Sequence, residues 1–149
     1  MKSVVAILLG VLLSFVLAIL VVFGIFAPVL TAIFGLDQLA PSTLPLTLMV
    51  FAAAFAFYFG GMAAAYRAPS HRALHGALVA ATAFLISPII NVATGQGPFP
   101  RVDSTGAVIF LLLLLAVSAG AAYVGGRRGE SLYFHNQRLV RPKNPRRET

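Results

Sequence analysis

Three histidines, three serines set in apolar runs and one asparagine are the side chains here whose types and spacing could do chemistry. His71 and His75 stand four residues apart, so on a helix they share a face and could present two imidazoles to a metal or haem. A metal needs further ligands, and the chain has no Cys, no His-Glu-x-x-His helix and only His135 besides. The expectation is therefore no metal and no cofactor, with His71 and His75 beside Arg67 and Arg72 against lipid phosphate or a helix carbonyl. A serine nucleophile needs a base within hydrogen-bond reach. Ser14, Ser87 and Ser118 have none in their runs, and Asp37 and Asp103 are single acids in irregular loops. No catalytic constellation is present, so the chain reads as a non-enzyme. Asn91 is the most polar residue inside an apolar run, where it must bond to a neighbouring helix or line a wet cavity. Pro88 takes the donor from the carbonyl of Phe84, which predicts a kink. Ser87, Pro88 and Asn91 are thus the candidate residues for a solute path.

The elements that hold these residues are four apolar stretches, at about 4–27, 45–66, 71–93 and 105–126. Each is long enough to cross a hydrocarbon core of roughly 30 Å as a helix. Backbone groups in lipid must satisfy one another, so the reading is an all-α integral membrane protein, a four-transmembrane-helix bundle. The composition agrees: 59% of the 149 residues are hydrophobic and 10% charged, with a mean hydropathy of +0.91. Met1-Lys2-Ser3 opens like a signal peptide, with Val16-Leu17-Ala18 as a cleavage triplet. The apolar run continues through Phe26, however, past the usual core of about 7–15 residues, so the segment is expected to stay as the first span. Residues 28–44 read as a mixed outer loop with a helical turn near Leu30. Thr43, Ser70 and Asp103 or Ser104 are candidate caps for the later spans.

Lys2, Arg67, Arg72, Arg127, Arg128, Arg138, Arg141, Lys143, Arg146 and Arg147 all fall before span 1, between spans 2 and 3, or after span 4. Only Arg101 lies on the other side. Lys and Arg are retained in the cytoplasm during insertion, which predicts both termini inside, in a bacterial inner membrane. The formal net charge of +7 points to anionic lipid of the inner leaflet more than to nucleic acid, because no folded reader accompanies it. Arg67, Arg72, Arg127, Arg128, Arg138 and Arg141 are the expected head-group contacts. Residues 127–149 read as a basic cytoplasmic tail whose first half lies on the membrane surface and whose end is disordered.

Small residues recur at four-residue spacing within the spans. Ala6, Gly10, Ser14 and Ala18 mark span 1; Ala52, Ala56, Gly60 and Ala64 mark span 2, with Gly61 beside them; Ser118, Ala122 and Gly126 mark span 4. Such stripes let helix backbones approach closely. They read as packing faces inside the bundle, or as one face turned to another protein. Ala56 to Gly61 and Ala121 to Gly126 share the pattern Ala-x-Tyr-x-Gly-Gly, which common use of small residues explains without a duplication.

The run Ser42-Thr43-Leu44-Pro45, then Gly60-Gly61, Arg67 and His75-Gly76-Ala77-Leu78, with Gly120, Gly125 and Gly126 closing span 4, resembles a family of small four-span bacterial membrane proteins. The resemblance implies the four-helix membrane fold and adds no activity. It covers the membrane region and leaves out the basic tail. The function expected from all this is a non-enzymatic accessory or assembly protein that binds other membrane subunits or itself. An oligomeric passive pore or small-solute carrier is the alternative.

Overall fold

A computed structural model describes residues 2–35, 43–95 and 105–140. They form α1 (Lys2–Ile19), a π-helical stretch (Leu20–Phe26), α2 (Ala27–Phe34), α3 (Leu44–Arg67), α4 (Arg72–Ala93) and α5 (Thr105–Val140). No strand occurs among the described residues. Four helical stretches are long and apolar enough to cross a membrane, the first running unbroken to Phe34.

That continuity corrects the loop expected from Pro28. A proline brings no N–H and its ring collides with the carbonyl four residues back. The chain accommodates it by widening beforehand: the Ala27 N–H reaches the carbonyl of Val22, five residues back. The wider turn carries the helix past Pro28 to Gly35, whose φ of 71° ends it and whose N–H meets the Thr31 carbonyl at 3.1 Å. The other end of the chain also differs from expectation. Gly126 is not a helix end, and residues 127–140 continue α5 without a break. The disorder expected at the extreme terminus falls on residues 141–149, outside the described residues.

At the start of α4 the capping role falls to His71 instead of Ser70, and no side chain makes the cap. His71 sits at φ 43°, ψ 47°, the left-handed region that histidine tolerates better than branched residues. Replacing His71 by Val should cost about 1 kcal/mol, whereas Gly should be close to neutral. Thermal unfolding of both variants in mild detergent checks this, and equal losses would show that the turn geometry is not what matters.

The helices run up and down in sequence order. α3 packs against α1, α4 and α5, and α1 and α5 flank the α3–α4 pair. The core is built from small side chains, with Ala56, Ala64, Ala65, Ala80 and Ala122 fully buried and Val79 the largest fully buried apolar residue. Large apolar side chains point outward instead: Leu85 is 74% exposed and Phe23 71%. Water would not tolerate that surface, but lipid solvates it without penalty.

Adjacent glycines explain how four helices come so close. Gly60 and Gly61 point about 100° apart around α3. A Cβ on Gly60 would strike Ser14 and the Gly10 carbonyl of α1, while one on Gly61 would strike the Ala122 backbone of α5. α5 answers in kind, since a Cβ on Gly125 would run into the Tyr58 carbonyl. The two Ala-x-Tyr-x-Gly-Gly segments therefore face one another across a single contact. A shared packing requirement accounts for their likeness.

Candidate functional site: a clasped basic end and an open far end

The two ends of the bundle are built differently. At the end that holds the α3–α4 turn, Arg72 reaches back over the turn and donates from Nη1 to the carbonyls of Ala65 at 3.1 Å and Tyr66 at 2.8 Å. Those are among the last carbonyls of α3, which no N–H of the helix can serve. A cation there also suits the negative end of the helix dipole. The guanidinium lies 3.2 Å from the centroid of the Tyr133 ring, a cation–π contact that ties α5 to the same point. Tyr66 meets Tyr133 edge-on at 6.0 Å, and Asn136 Nδ2 donates to the Tyr66 hydroxyl at 3.1 Å.

Arg72 is consequently buried and is not a lipid head-group contact, which corrects the reading from sequence. Its short reach to the α3 carbonyls, set by the four-residue turn, outcompetes solvent. His75 is buried beside it, with Nδ1 donating to the His71 carbonyl at 3.1 Å. Arg67, Arg127, Arg128 and Arg138 are exposed, and Arg127 Nη1 donates to the Tyr123 hydroxyl at 3.2 Å. Arg141 lies outside the described residues. No group of three His, Cys, Asp or Glu side chains able to hold a metal occurs among the described residues.

Toward the far end the helices part. A cavity of about 300 Å³ opens between α1, α3 and α4, with Ser14, Ala18, Ala53, Phe84 and Ser87 on its walls. A second, of about 280 Å³, lies beyond it between α2 and the start of α3, past Phe26, Leu30 and Leu48. The two meet at Val22 and Met49. Val22 belongs to the π-helical stretch, a distortion that recurs at functional sites.

No protein-family profile, curated protein or solved structure matches this chain. Its residues therefore take their roles from geometry alone.

Gly10, Ser14, Ala56, Gly60, Gly61, Ala122 and Gly126 are all buried where helices cross. Ser14 donates to the Gly10 carbonyl at 3.0 Å, so its hydroxyl is spent within its own helix. Ser118 is fully buried and its hydroxyl finds no partner among the described residues. Most of the three small-residue stripes is thus taken up by contacts inside the bundle, while Ala18 of the α1 stripe lines the cavity.

Ser87 lies on the cavity wall, α4 passes through Pro88 without breaking, and Asn91 is half-buried at the far end. Asn91 donates no hydrogen bond to another helix among the described residues. The walls of the two cavities are apolar except for the hydroxyls of Ser14, Ser87 and Thr31, a lining suited to hydrocarbon more than to water or ions.

The clasp was not foreseen. A signal for it was nonetheless present, since Ala122, Gly126, Gly129, Tyr133 and Asn136 recur every three or four residues along one face of α5. Arg127 and Arg128, on the opposite face, broke the apolar run and hid that periodicity.

Proposed function

We propose that this chain is a multi-pass protein of a bacterial inner membrane, with both termini and the α3–α4 turn in the cytoplasm. It acts there as a non-enzymatic accessory or assembly component that binds another membrane subunit or its own copies. One observation carries this reading. The exposed Arg127, Arg128 and Arg138 stand on a single helix that the Arg72–Tyr133–Tyr66–Asn136 clasp fixes to the bundle. A tail that only grips lipid needs no such fixing, because flexible basic segments adhere equally well to anionic surfaces. Holding the cations in place beforehand lowers the cost of binding a partner.

The partner face is accordingly the cytoplasmic end of α5, and the membrane-embedded stripes serve the bundle itself. Orientation follows from the one-sided placement of Lys and Arg. The chain has no Cys, so single-cysteine variants report on it directly. Ser70→Cys should react with an impermeant maleimide only in inverted vesicles, and Thr94→Cys only in intact spheroplasts. The reverse pattern would overturn the orientation.

The binding role is tested by purification in mild detergent. A second subunit or copy should accompany the chain in fixed stoichiometry. Triple replacement of Arg127, Arg128 and Arg138 by Gln should lower its recovery about tenfold or more, given that charged interface contacts are worth on the order of 1–3 kcal/mol each. A chain that runs alone as a monomer at every concentration would refute the role.

A further inference from the structure

The two far-end cavities form one apolar groove that the described residues leave open, and its position and chemistry point to what fills it. We propose that it is a binding site for one acyl chain of a membrane phospholipid, held lengthwise between α1–α2 and α3–α4. This inference is independent of the partner role assigned to the basic end.

Four observations lead there. First, the hollow of about 300 Å³ is only partly enclosed and opens between exposed residues such as Phe15 and Ser87, so the hydrocarbon that surrounds a spanning helix reaches it. Second, water cannot fill it, because an apolar cavity lacks the two to four polar partners each water requires. Ser14 is already bonded to Gly10, which leaves Ser87 in the first cavity and Thr31 in the second as widely separated hydroxyls on the wall. Third, its volume matches the lower end of small-molecule sites, at roughly 300 Å³. Fourth, the groove is elongated. Ser14 on one side and Leu30 on the other bound a path that runs along α1 and α2 through the junction at Val22 and Met49. Acyl chains lie in that direction in a bilayer, and they are the most abundant hydrocarbon there.

The sequence around the groove fits an occupant. In the clasped half, small residues bring helices into contact. In the far half, Ala18 and Ala53 line open space, where Leu or Ile would have filled the gap. The π-helical stretch and Pro88 both fall beside this groove and keep the helices from closing on it. Pro88 also supplies no N–H to the Phe84 carbonyl, so this part of the wall offers the Ser87 hydroxyl and one freed carbonyl for a single polar group near the chain.

The test uses the full-length chain in phosphatidylglycerol vesicles doped with a phospholipid that carries a diazirine on its acyl chain. Photolysis and peptide mapping should place cross-links at Ala53, Phe84 and Ser87. Phe51 and Leu85, at the same depth on the same helices but facing open lipid, provide the comparison. A retained chain should label the groove about tenfold more than these lipid-facing positions, and filling the groove with Ala53→Leu and Ser87→Leu together should remove that excess. Size-exclusion behaviour and helix content report whether the filled variant folds. If it does not, Ser87→Leu alone, at an exposed position, serves instead. Labelling of the groove no stronger than that of Phe51 and Leu85, or unchanged by filling, would overturn the proposal. So would cross-links to a second copy of the chain, or occupancy by an isoprenoid-alcohol probe that the phospholipid does not displace.

Discussion

Gly61→Ala should destabilise the bundle by about 3 kcal/mol, the upper end of what overpacking costs, although it adds only one methyl group. The added carbon would meet the carbonyl of Ala122 and lie 2.9 Å from its Cα. No rotamer change relieves such a clash, because the obstacle is backbone and α5 as a whole must move. Gly125→Ala should cost a similar amount for the reciprocal reason, since it meets the Tyr58 carbonyl with the Tyr58 Cα at 3.0 Å. The pair should not be additive. Once α3 and α5 have separated for the first methyl, the second finds room, so the double variant should cost clearly less than the sum. Gly120→Ala provides the opposite sign. Nothing lies within 4 Å of its added carbon, and an alanine in a helix interior is worth roughly 0.5–1 kcal/mol over glycine. Thermal unfolding in a mild detergent, followed by near-ultraviolet circular dichroism, reads all four variants. Equal effects of Gly61→Ala and Gly120→Ala would mean that α3 and α5 do not cross at these glycines.

That contrast shows what the residues disclosed and what they did not. Gly60, Gly61, Ala122 and Gly126 could be read as a close-packing face because small residues at four-residue spacing have few other uses in lipid. The four helices were legible for the same reason: apolar runs of this length have one stable conformation in a bilayer. What a one-dimensional pattern cannot give is whether a stripe is met by another helix. Gly10 and Ala18 occupy the same stripe of α1, yet Gly10 abuts Gly60 while Ala18 faces open space. The difference arises from tertiary splay, set by the π-helical stretch before Pro28. A proline in a sequence reads as a stop, but a wider turn ahead of Pro28 lets the helix continue. Arg72 was misplaced by a related limit. Its charge and position suggested lipid, whereas the decisive fact is the geometry of two carbonyls, Ala65 and Tyr66, a short turn away.

Arg72→Ala should be the most damaging polar substitution in the protein, at about 3–4 kcal/mol, because it removes two hydrogen bonds from a charged donor and one cation–π contact together. The loss also leaves the buried Ala65 carbonyl at the end of α3 without its side-chain partner. Arg72→Lys should recover less than half of it: an ammonium can reach one carbonyl but cannot lie flat on Tyr133 while serving two. Tyr133→Leu, which keeps an apolar contact and removes the ring face, should cost about 1 kcal/mol. The order Ala, then Lys, then Tyr133→Leu is the signature of the clasp. A surface cation held only by lipid would show near-equality of all three with wild type. The consequence for binding is separate from global stability. In Arg72→Ala, hydrogen exchange at residues 127–137 should rise while the Gly61–Ala122 crossing stays protected, because the two contacts lie turns apart along α5. Recovery of a partner through Arg127, Arg128 and Arg138 should then fall even though none of those three residues has changed. If recovery stayed at the wild-type level while residues 127–137 exchanged freely, the cationic face would be working as a flexible tail and its rigidity would have no part in recognition.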